Sequence, residues 1–316
     1  MEIIYPENAT KIKQESAAAV GFFDGVHKGH RYLIEQLKTN AGLRKLPTSI
    51  VTFSTHPKKI LHGDFPPCLL NSLDERLYHL DSAGIDYCYL FPFTEEFSKL
   101  TAGDFIREIL DKQLKIKFLL IGYDHKFGRG RNEGFEHYVE FGKTCGMAVE
   151  QAGAFSTLPG ASFGSTAIRH FLQEGNVRQA AEMLSYFYTL DGTVISGDRL
   201  GRTIGFPTAN LELSEKDKLI PKNGVYAGNV TLCEEKHRGM IYIGRRPTFS
   251  PQGEVRIEAH ILNFNKTVYG EKMQIELTDF LRPDISFRNP EELRAQLEKD
   301  RKSLSENVIL SPPLLI

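Results

Sequence analysis

Apolar and polar positions follow one repeated pattern over the first 185 residues of the chain. Short runs of almost entirely apolar residues recur there, each about the length of one strand. Five runs are predicted to be β-strands: Ala17–Phe23, Ser49–Phe53, Tyr87–Phe91, Phe118–Gly122 and Met147–Ala152. Strands that are apolar on both sides are typical of a parallel sheet with both faces covered.

Segments with helical periodicity separate and follow these runs. Helices are predicted near Arg31–Lys38, Leu73–Ala83, Ala102–Asp111, Phe135–Cys145, Thr166–Gln173 and Val177–Ser185. Ser72 and Glu75 have the spacing of a capping box, Gly84 follows the end of that helix, and Asn176 is predicted to cap the last one. The alternation of strands and helices predicts an α/β domain.

The pattern of apolar and polar positions changes after Tyr188. Extended patterns separated by Gly- and Pro-rich turns recur near Leu190–Ser196, Val225–Thr231, Met240–Ile243, Glu254–Leu262 and Met273–Asp279. A helix is predicted only at Pro290–Leu304. Short strands punctuated by turns predict an antiparallel barrel or sandwich. The 316 residues therefore divide into two predicted domains, 1–184 and 185–316, which agrees with roughly 100–200 residues per domain.

Composition and charge narrow the class of protein. Apolar residues make up 41% and charged residues 25% of the chain, which excludes disorder or coiled coil as its main state. The net charge of −1 lacks the basic surplus of a dedicated nucleic-acid binder. Four cysteines without a CxxC pair, no signal-peptide pattern and no long apolar span predict a reduced, cytoplasmic protein that does not enter membranes.

The segment from Gly21 to His30, GFFDGVHKGH, is the most informative motif. It follows a predicted strand and begins a helix, where backbone amides bind anions. His27 and His30, three residues apart, are predicted to share one helix face and to stabilise phosphate charge during transfer. The other candidate phosphate-binding residues of the motif are Gly21, Asp24, Gly25 and Gly29. Half a metal site and a solvated loop are the alternatives.

Two further segments of the first domain suggest phosphate binding. Ser165, Thr166 and Arg169 lie at a predicted helix start and suit a pyrophosphate, although simple helix capping is an alternative. The Gly122–Arg131 loop, GYDHKFGRGR, suits a nucleotide or flavin phosphate, or is an exposed basic loop. Its candidate flavin-side residues are Asp124, Phe127, Arg129 and Arg131.

The second domain carries a separate motif, GDRLGRTIGFPTANL, over residues 197–211. Its candidate phosphate-binding residues are Gly197, Gly201, Arg202 and Gly205. Thr208 and Asn210 lie on one side of an extended strand, and their neutral oxygens suit Mg²⁺. Glu258 lies in a later strand with apolar neighbours and is the candidate general base. A glycine-rich hairpin and a surface glutamate are the alternatives.

Together these motifs resemble the prokaryotic bifunctional riboflavin kinase/FMN adenylyltransferase family from about residue 15 to about residue 304. The resemblance implies a Rossmann-like nucleotidyltransferase domain of the HxGH type, followed by a β-barrel riboflavin kinase domain with a C-terminal helix. It implies that Mg²⁺ and ATP convert riboflavin to FMN, and that FMN and ATP then give FAD and pyrophosphate. His27, His30, Ser165, Thr166 and Arg169 would hold ATP phosphates, and Glu258 would accept the ribityl hydroxyl proton.

Three residues depart from the family pattern. Thr55 replaces a proline, His125 replaces an aromatic residue, and Asn263 replaces a frequently acidic residue. The first two fall on the flavin or adenine side of the first domain. They leave open a kinase whose transferase half is weak or acts on another acceptor. A flavin-responsive regulatory protein without turnover is the alternative from a different class.

Overall fold

A computed structural model describes residues 1–9, 14–61, 68–155, 164–197, 200–245 and 255–306. Contacts between Cα atoms divide the chain into two compact units, Met1–Phe163 and Gly164–Ile316. Each unit has its own sheet, one open and parallel and the other a closed barrel. The predicted combination of an α/β domain and a β-barrel domain is confirmed.

The first unit contains a six-stranded sheet whose described pairs are all parallel. Its strands are β1 (Glu2–Ile4), β2 (Ser16–Val20), β3 (Thr48–Phe53), β4 (Tyr87–Phe91), β5 (Ile116–Ile121) and β6 (Ala148–Gln151). Their order across the sheet is β1-β4-β3-β2-β5-β6. The five predicted strands are confirmed within a few residues. Strand β1 was not predicted because three residues are too short for a readable pattern.

Helices and turns of helix connect these strands. The α-helices are α1 (Pro6–Ala9), α2 (Lys28–Arg44), α3 (Pro57–Leu61), α4 (Leu73–Ser82), α5 (Glu95–Ser98), α6 (Ala102–Asp104) and α7 (Phe135–Thr144). The predicted helix over Ala102–Asp111 is α-helical only at its start and continues as a π-helix over Phe105–Gln113. Helix α4 begins with the predicted capping box of Ser72 and Glu75.

Both faces of the parallel sheet are covered, as predicted. Ala17 and Ala19 of β2 share one buried cluster with Ile34 of α2 and Leu80 of α4. The intervening strand positions face a second cluster that includes Leu110 of the π-helix and Tyr138 of α7. Successive side chains of a strand point to opposite faces, and both faces are covered here, so every position of β2 is buried. This burial explains the apolar run in the sequence.

The second unit is a closed antiparallel barrel with flanking helices. Its strands are β7 (Tyr188–Ile195), β8 (Ala209–Leu213), β9 (Gly224–Leu232), β10 (Glu235–Arg245), β11 (Val255–Ile261) and β12 (Lys272–Pro283), closed in the order β10-β11-β8-β7-β12-β9. Its helices are α8 (Ser165–Glu174), α9 (Val177–Leu184), α10 (Leu200–Thr203) and α11 (Pro290–Glu306). The sequence predicted either a barrel or a sandwich, and the structure shows a barrel.

Helices α8 and α9 belong to the second unit, whereas the sequence pattern grouped them with the first domain. The Lys222 amide donates to the Leu172 carbonyl at 3.0 Å, and Arg178 of α9 forms an ion pair of 2.7 Å with Asp279 of β12. Asn176 lies at the predicted cap position of α9, but its side chain makes no capping hydrogen bond, so that part of the prediction is wrong.

These contacts predict that a fragment of residues 164–316 is more stable than one of residues 185–316. The shorter fragment loses α9, whose buried side chains include Val177, Met183 and Leu184. Burying one such side chain contributes about 1.5–3 kcal/mol, so we expect a loss of at least about 2 kcal/mol. Thermal unfolding of both fragments, followed by circular dichroism, measures this difference. Equal midpoints would show that α8 and α9 do not stabilise the barrel.

Candidate active sites

The loop between β2 and α2 places a helix N-terminus at the carboxyl end of the parallel sheet. Its backbone turns through positive φ values at Phe23 (57°), Gly25 (83°) and Val26 (34°). Such values are uncommon for residues with a Cβ atom, and strained backbone of this kind clusters at functional sites. The loop thus directs the first amides of a 17-residue helix to the place where open α/β sheets bind ligands.

The two histidines of the motif are in direct contact. His27 is the N-cap residue of α2, and its Nδ1 accepts a hydrogen bond of 3.3 Å from the His30 amide. The imidazole rings stack with centroids 3.7 Å apart and an angle of 16° between their planes. His27 precedes the helix as its N-cap residue, but the two side chains lie together, as the prediction of one shared face requires. With Nδ1 accepting, neutral His27 carries its hydrogen on Nε2, where it can donate to an anion.

His30 is held in an environment that disfavours its charged form. Burial lowers its pKa well below 6.5, and the nearby His27 and His125 lower it further. The Phe23 ring lies 5.1 Å away, and His30 Nδ1 is buried without a hydrogen-bond partner among the described residues. His125, a departure from the family pattern, therefore acts on the same site as the two motif histidines.

Packing explains two glycines of this motif. A Cβ atom on Gly29 would lie 3.2 Å from two ring atoms of His27, so glycine leaves room for the stacked imidazole. A Cβ atom on Gly21 would similarly lie 3.0 Å from the Phe23 ring. Direct contact of these glycines with a phosphate stays a prediction.

Asp24 ties the loop to the segment before α4. Its side chain is buried, and its carboxylate accepts hydrogen bonds from the Leu70 amide at 3.0 and 3.1 Å and from the Asn71 amide at 3.2 Å. Backbone amides stabilise a buried carboxylate, and the carboxylate in turn fixes the loop. These contacts give Asp24 a structural role, while its binding of a nucleotide stays a prediction.

Arg76 was missed by the sequence analysis although it holds the same loop. The side chain is 2% exposed. It donates to the Phe22 carbonyl at 2.8 Å, just past the end of β2, and to the Phe53 carbonyl at 2.6 Å, in the last residue of β3. Its guanidinium lies 4.0 Å from the centre of the Phe22 ring. Burial lowers the pKa of Arg76 to about 10, against an opposing effect of Asp24.

A sequence signal for Arg76 exists. It lies four residues before Leu80, and both residues face the buried side of α4. An arginine on the apolar face of an amphipathic helix is rarely buried without partners, so its position indicates a specific binding role.

The Gly122–Arg131 loop is anchored by Phe127. This ring stacks on Tyr138 with centroids 4.3 Å apart, and the Tyr138 hydroxyl donates to the Phe127 carbonyl at 3.2 Å. Asp124 and Arg129 are exposed, whereas the side chain of Arg131 lies outside the described part of the structure. Phe127 therefore packs against the core, and contact of these four residues with a flavin stays a prediction.

Ser165 and Thr166 begin the first turn of α8, and Arg169 follows at the start of the second turn. Gly164 occupies the N-cap position, so neither hydroxyl belongs to the capping residue and the capping alternative is not supported. Because α8 belongs to the second unit by its contacts, a common phosphate site with His27 and His30 stays a prediction.

In the second unit the fold brings Thr208, Asn210 and Glu258 together. Asn210 and Glu258 are paired residues of the antiparallel ladder between β8 and β11. The Thr208 hydroxyl donates to Glu258 Oε2 at 3.0 Å. The Glu258 carboxylate, the Thr208 hydroxyl and the Asn210 amide thus form one cluster of oxygen atoms, here called the oxygen cluster. Thr208 and Glu258 lie 50 residues apart in sequence.

The glycine-rich segment before this strand packs closely on the cluster. A Cβ atom on Gly197 would lie 2.2 Å from the Asn210 side-chain nitrogen, so a larger residue there would displace the Asn210 side chain. A Cβ on Gly201 would meet the Phe206 carbonyl, and Gly205 turns the chain with a φ of 84°. The three described glycines have the close contacts and the turn that the prediction of a close loop requires, and binding of phosphate stays a prediction.

A cavity of about 310 Å³ lies beside Thr208. Apolar residues of β7, β8 and β11 line one part of it, and Arg202 and Lys266, whose ammonium forms an ion pair with Glu235, line another. Phe264 and Tyr269 add aromatic surface. This combination suits a ligand with a planar ring and an anionic group.

In the described ranges, no helix has both the length and the apolar character to cross a membrane. The same part of the chain holds no group of three or more His, Cys, Asp or Glu side chains placed for a metal ion.

The two units thus carry separate candidate sites, and comparisons with known proteins identify a two-domain transferase. The FAD synthetase family model matches residues 9–167, and the riboflavin kinase family model matches residues 184–308. The chain is 38% identical to the bifunctional riboflavin kinase/FMN adenylyltransferase of Listeria monocytogenes, over 90% of each chain. It is 35% identical to the protein of that name from Escherichia coli K12, over 97% of each chain.

The chain belongs to the bifunctional riboflavin kinase/FMN adenylyltransferase family. A solved structure titled as a macrolide-efflux protein from Streptococcus pneumoniae shares the whole fold, with a TM-score of 0.85 and 29% identity over 98% of this chain and all of that one. The resemblance inferred from the motifs is confirmed.

The pKa of His30 predicts a pH dependence of stability. Its pKa in the folded state lies below the ordinary 6.5, so the unfolded chain binds a proton that the folded chain does not as the pH falls. The free energy of unfolding is therefore highest above that value and decreases below it, by up to about 1.4 kcal/mol per pH unit. Urea unfolding at about pH 7.5 and about pH 5.5 should show a smaller decrease for His30→Gln than for the wild type. Equal decreases would contradict this account.

Proposed function

We propose that this chain makes FAD from riboflavin in two ATP-dependent steps. The second unit phosphorylates riboflavin to FMN, and the first unit transfers an adenylyl group from ATP to FMN, releasing pyrophosphate. One observation carries the proposal: two family matches on one chain coincide with two assembled side-chain pairs, His27–His30 and Thr208–Glu258. The matches also support a functional boundary near residue 184.

The adenylyl transfer needs positioning and charge stabilisation. An FMN phosphate oxygen attacks the α-phosphorus of ATP, and the bond from that phosphorus to the pyrophosphate oxygen breaks. The Nε2–H of His27 and the N–H of His30 donate to phosphate oxygens as negative charge develops on the leaving group. Burial disfavours a charged His30, and the negative charge of a bound anion opposes this effect by favouring the protonated form.

The kinase step needs a base beside the γ-phosphate. The terminal ribityl hydroxyl of riboflavin attacks the γ-phosphorus, the bond to the ADP oxygen breaks, and Glu258 accepts the hydroxyl proton. The Thr208 hydroxyl donates to Oε2 of Glu258, which orients the carboxylate. The cavity beside Thr208 would hold ATP, with Arg202 near its phosphates.

The oxygen cluster also fits Mg²⁺. Its donors are a hydroxyl, an amide and a carboxylate, which are the hard oxygen ligands that Mg²⁺ prefers in the company of substrate phosphates. Thr208 and Asn210 would hold the ion. When bound, it would neutralise phosphate charge during transfer.

The remaining features of the proposal follow from charge and composition. A net charge of −1 and four cysteines without a close pair support a cytoplasmic enzyme whose ligands are riboflavin, FMN, FAD and ATP. They do not favour a nucleic acid or a membrane as a partner.

His30→Ala should separate the two activities. We expect FAD formation from FMN to fall by about 10²-fold or more, because a charge-stabilising contact is lost, while riboflavin phosphorylation stays near normal. Chromatographic separation of the flavins measures both rates. His137→Ala, which alters an exposed histidine of the same unit, is the matched control. Equal loss of both activities in a folded His30→Ala protein would contradict the assignment.

Glu258→Gln should have the reciprocal effect. Glutamine keeps the size of the side chain but does not accept the proton, so FMN formation should fall by about 10²–10⁴-fold. The same variant, supplied with FMN, should still make FAD. Glu271→Gln, at an exposed position of the same unit, is the control. Turnover of riboflavin within a few-fold of wild type would show that Glu258 is not the base.

A further inference from the structure

His260 lies beside the proposed kinase site and has no role in the mechanism so far. On β11, the half-exposed face carries Glu258 and His260, while Ile257, Ala259 and Ile261 are buried on the other face. Glu258 and His260 therefore point to the same side of the strand, because side chains alternate along it. Both face the segment that leads into β8.

This segment lies beyond the backbone ladder. The described pairs of β8 and β11 end at Ala209 and Ala259, so Pro207 and Thr208 are not held by ladder hydrogen bonds between these strands. A proline also has no N–H to donate. Side chains of β11 continue the pairing: Glu258 accepts from the Thr208 hydroxyl, and a ring nitrogen of His260 lies 2.8 Å from the Pro207 carbonyl oxygen.

The chemistry of this contact fixes the tautomer of His260. A carbonyl oxygen only accepts hydrogen bonds, so Nδ1 of His260 must carry the hydrogen. The ring also lies 5.0 Å from the buried Phe206 ring. Burial lowers the pKa of His260, and the groups of α11 that act on it are Arg301, which lowers it further, and Glu298, which raises it. These two form an ion pair of 2.6 Å with each other.

We propose that His260 is a positioning residue for phosphoryl transfer: its Nδ1–H bond to Pro207 fixes the segment that presents Thr208 to Glu258. The inference rests on the proposed kinase function of the Thr208–Glu258 site. His260 thus holds the backbone of Pro207, and Glu258 holds the side chain of the next residue, Thr208.

Three substitutions in the full-length protein test the donor itself. His260→Asn keeps an N–H close to the Nδ1 position, His260→Gln places its amide one bond farther out, and His260→Leu removes the donor. We expect kcat for riboflavin phosphorylation to fall at least about tenfold in His260→Leu and His260→Gln, because a small misplacement of reacting groups is costly. His260→Asn should stay within about threefold of the wild type, and KM for riboflavin should change little in all three.

The outcomes decide between a positioning role and a merely structural one. FAD formation from supplied FMN and circular dichroism serve as controls for the rest of the chain. If His260→Leu does not fold, the Asn and Gln pair decides alone. Equal kcat values for Asn and Gln, or a folded His260→Leu within about twofold of the wild type, would overturn the proposal.

A spectroscopic measurement tests the hydrogen bond without turnover. ¹⁵N-histidine labelling at neutral pH should show His260, identified by the signal absent from His260→Asn, as the neutral Nδ1–H tautomer. An Nε2–H tautomer would overturn the proposal. The Glu258→Gln variant tests the underlying site separately. If Glu258→Gln does not phosphorylate riboflavin and His260→Leu does so normally, only the positioning role of His260 is contradicted. If Glu258→Gln phosphorylates riboflavin normally, the assignment of Glu258 as the base is contradicted.

Discussion

The satisfaction of backbone polar groups where a sheet ends is the constraint on which both candidate sites depend. A strand stops being held by its neighbours at its last ladder pair, and side chains can supply donors to the carbonyl groups at and beyond that pair. In the first unit, Arg76 donates to the carbonyls of Phe22 and Phe53. In the second, His260 donates to the carbonyl of Pro207. The loops that carry the chemistry are therefore held by side chains at strand ends.

This arrangement combines rigidity with access for ligands. Ladder hydrogen bonds use the backbone groups of both strands, whereas a side-chain donor leaves the amides of the loop available to a ligand. In the first unit the loop reaches the N-terminus of α2 with His27 as its cap and His30 stacked on it. Asp24 and Arg76 hold this loop from the buried side. The strained φ values of Phe23 and Val26 are tolerated because these contacts over-determine the backbone.

Much of the fold follows from sequence because its signals are local. The buried strands of the parallel sheet are continuous apolar runs, and the capping box of Ser72 and Glu75 is readable within four residues. The motif pairs His27–His30 and Thr208–Asn210 are likewise close in sequence. The role of Arg76 was not predicted because its partners lie 54 and 23 residues away in sequence. The contact between His260 and Pro207 likewise spans 53 residues. Such contacts depend on topology, which periodicity does not encode.

The division of the chain shows the same limit. Helices α8 and α9 have the pattern of α/β helices, but their packing on the barrel is set by distant partners such as Asp279. The riboflavin kinase family match begins at residue 184, whereas the second compact unit begins at Gly164.

The central claim is that one chain carries both activities. It is tested most directly by incubating the purified protein with riboflavin, ATP and Mg²⁺ and separating the flavins by chromatography over time. The account predicts that FMN forms first and FAD follows from it. Accumulation of FMN without FAD would contradict the assignment of the first unit, and unchanged riboflavin would contradict the assignment of the second.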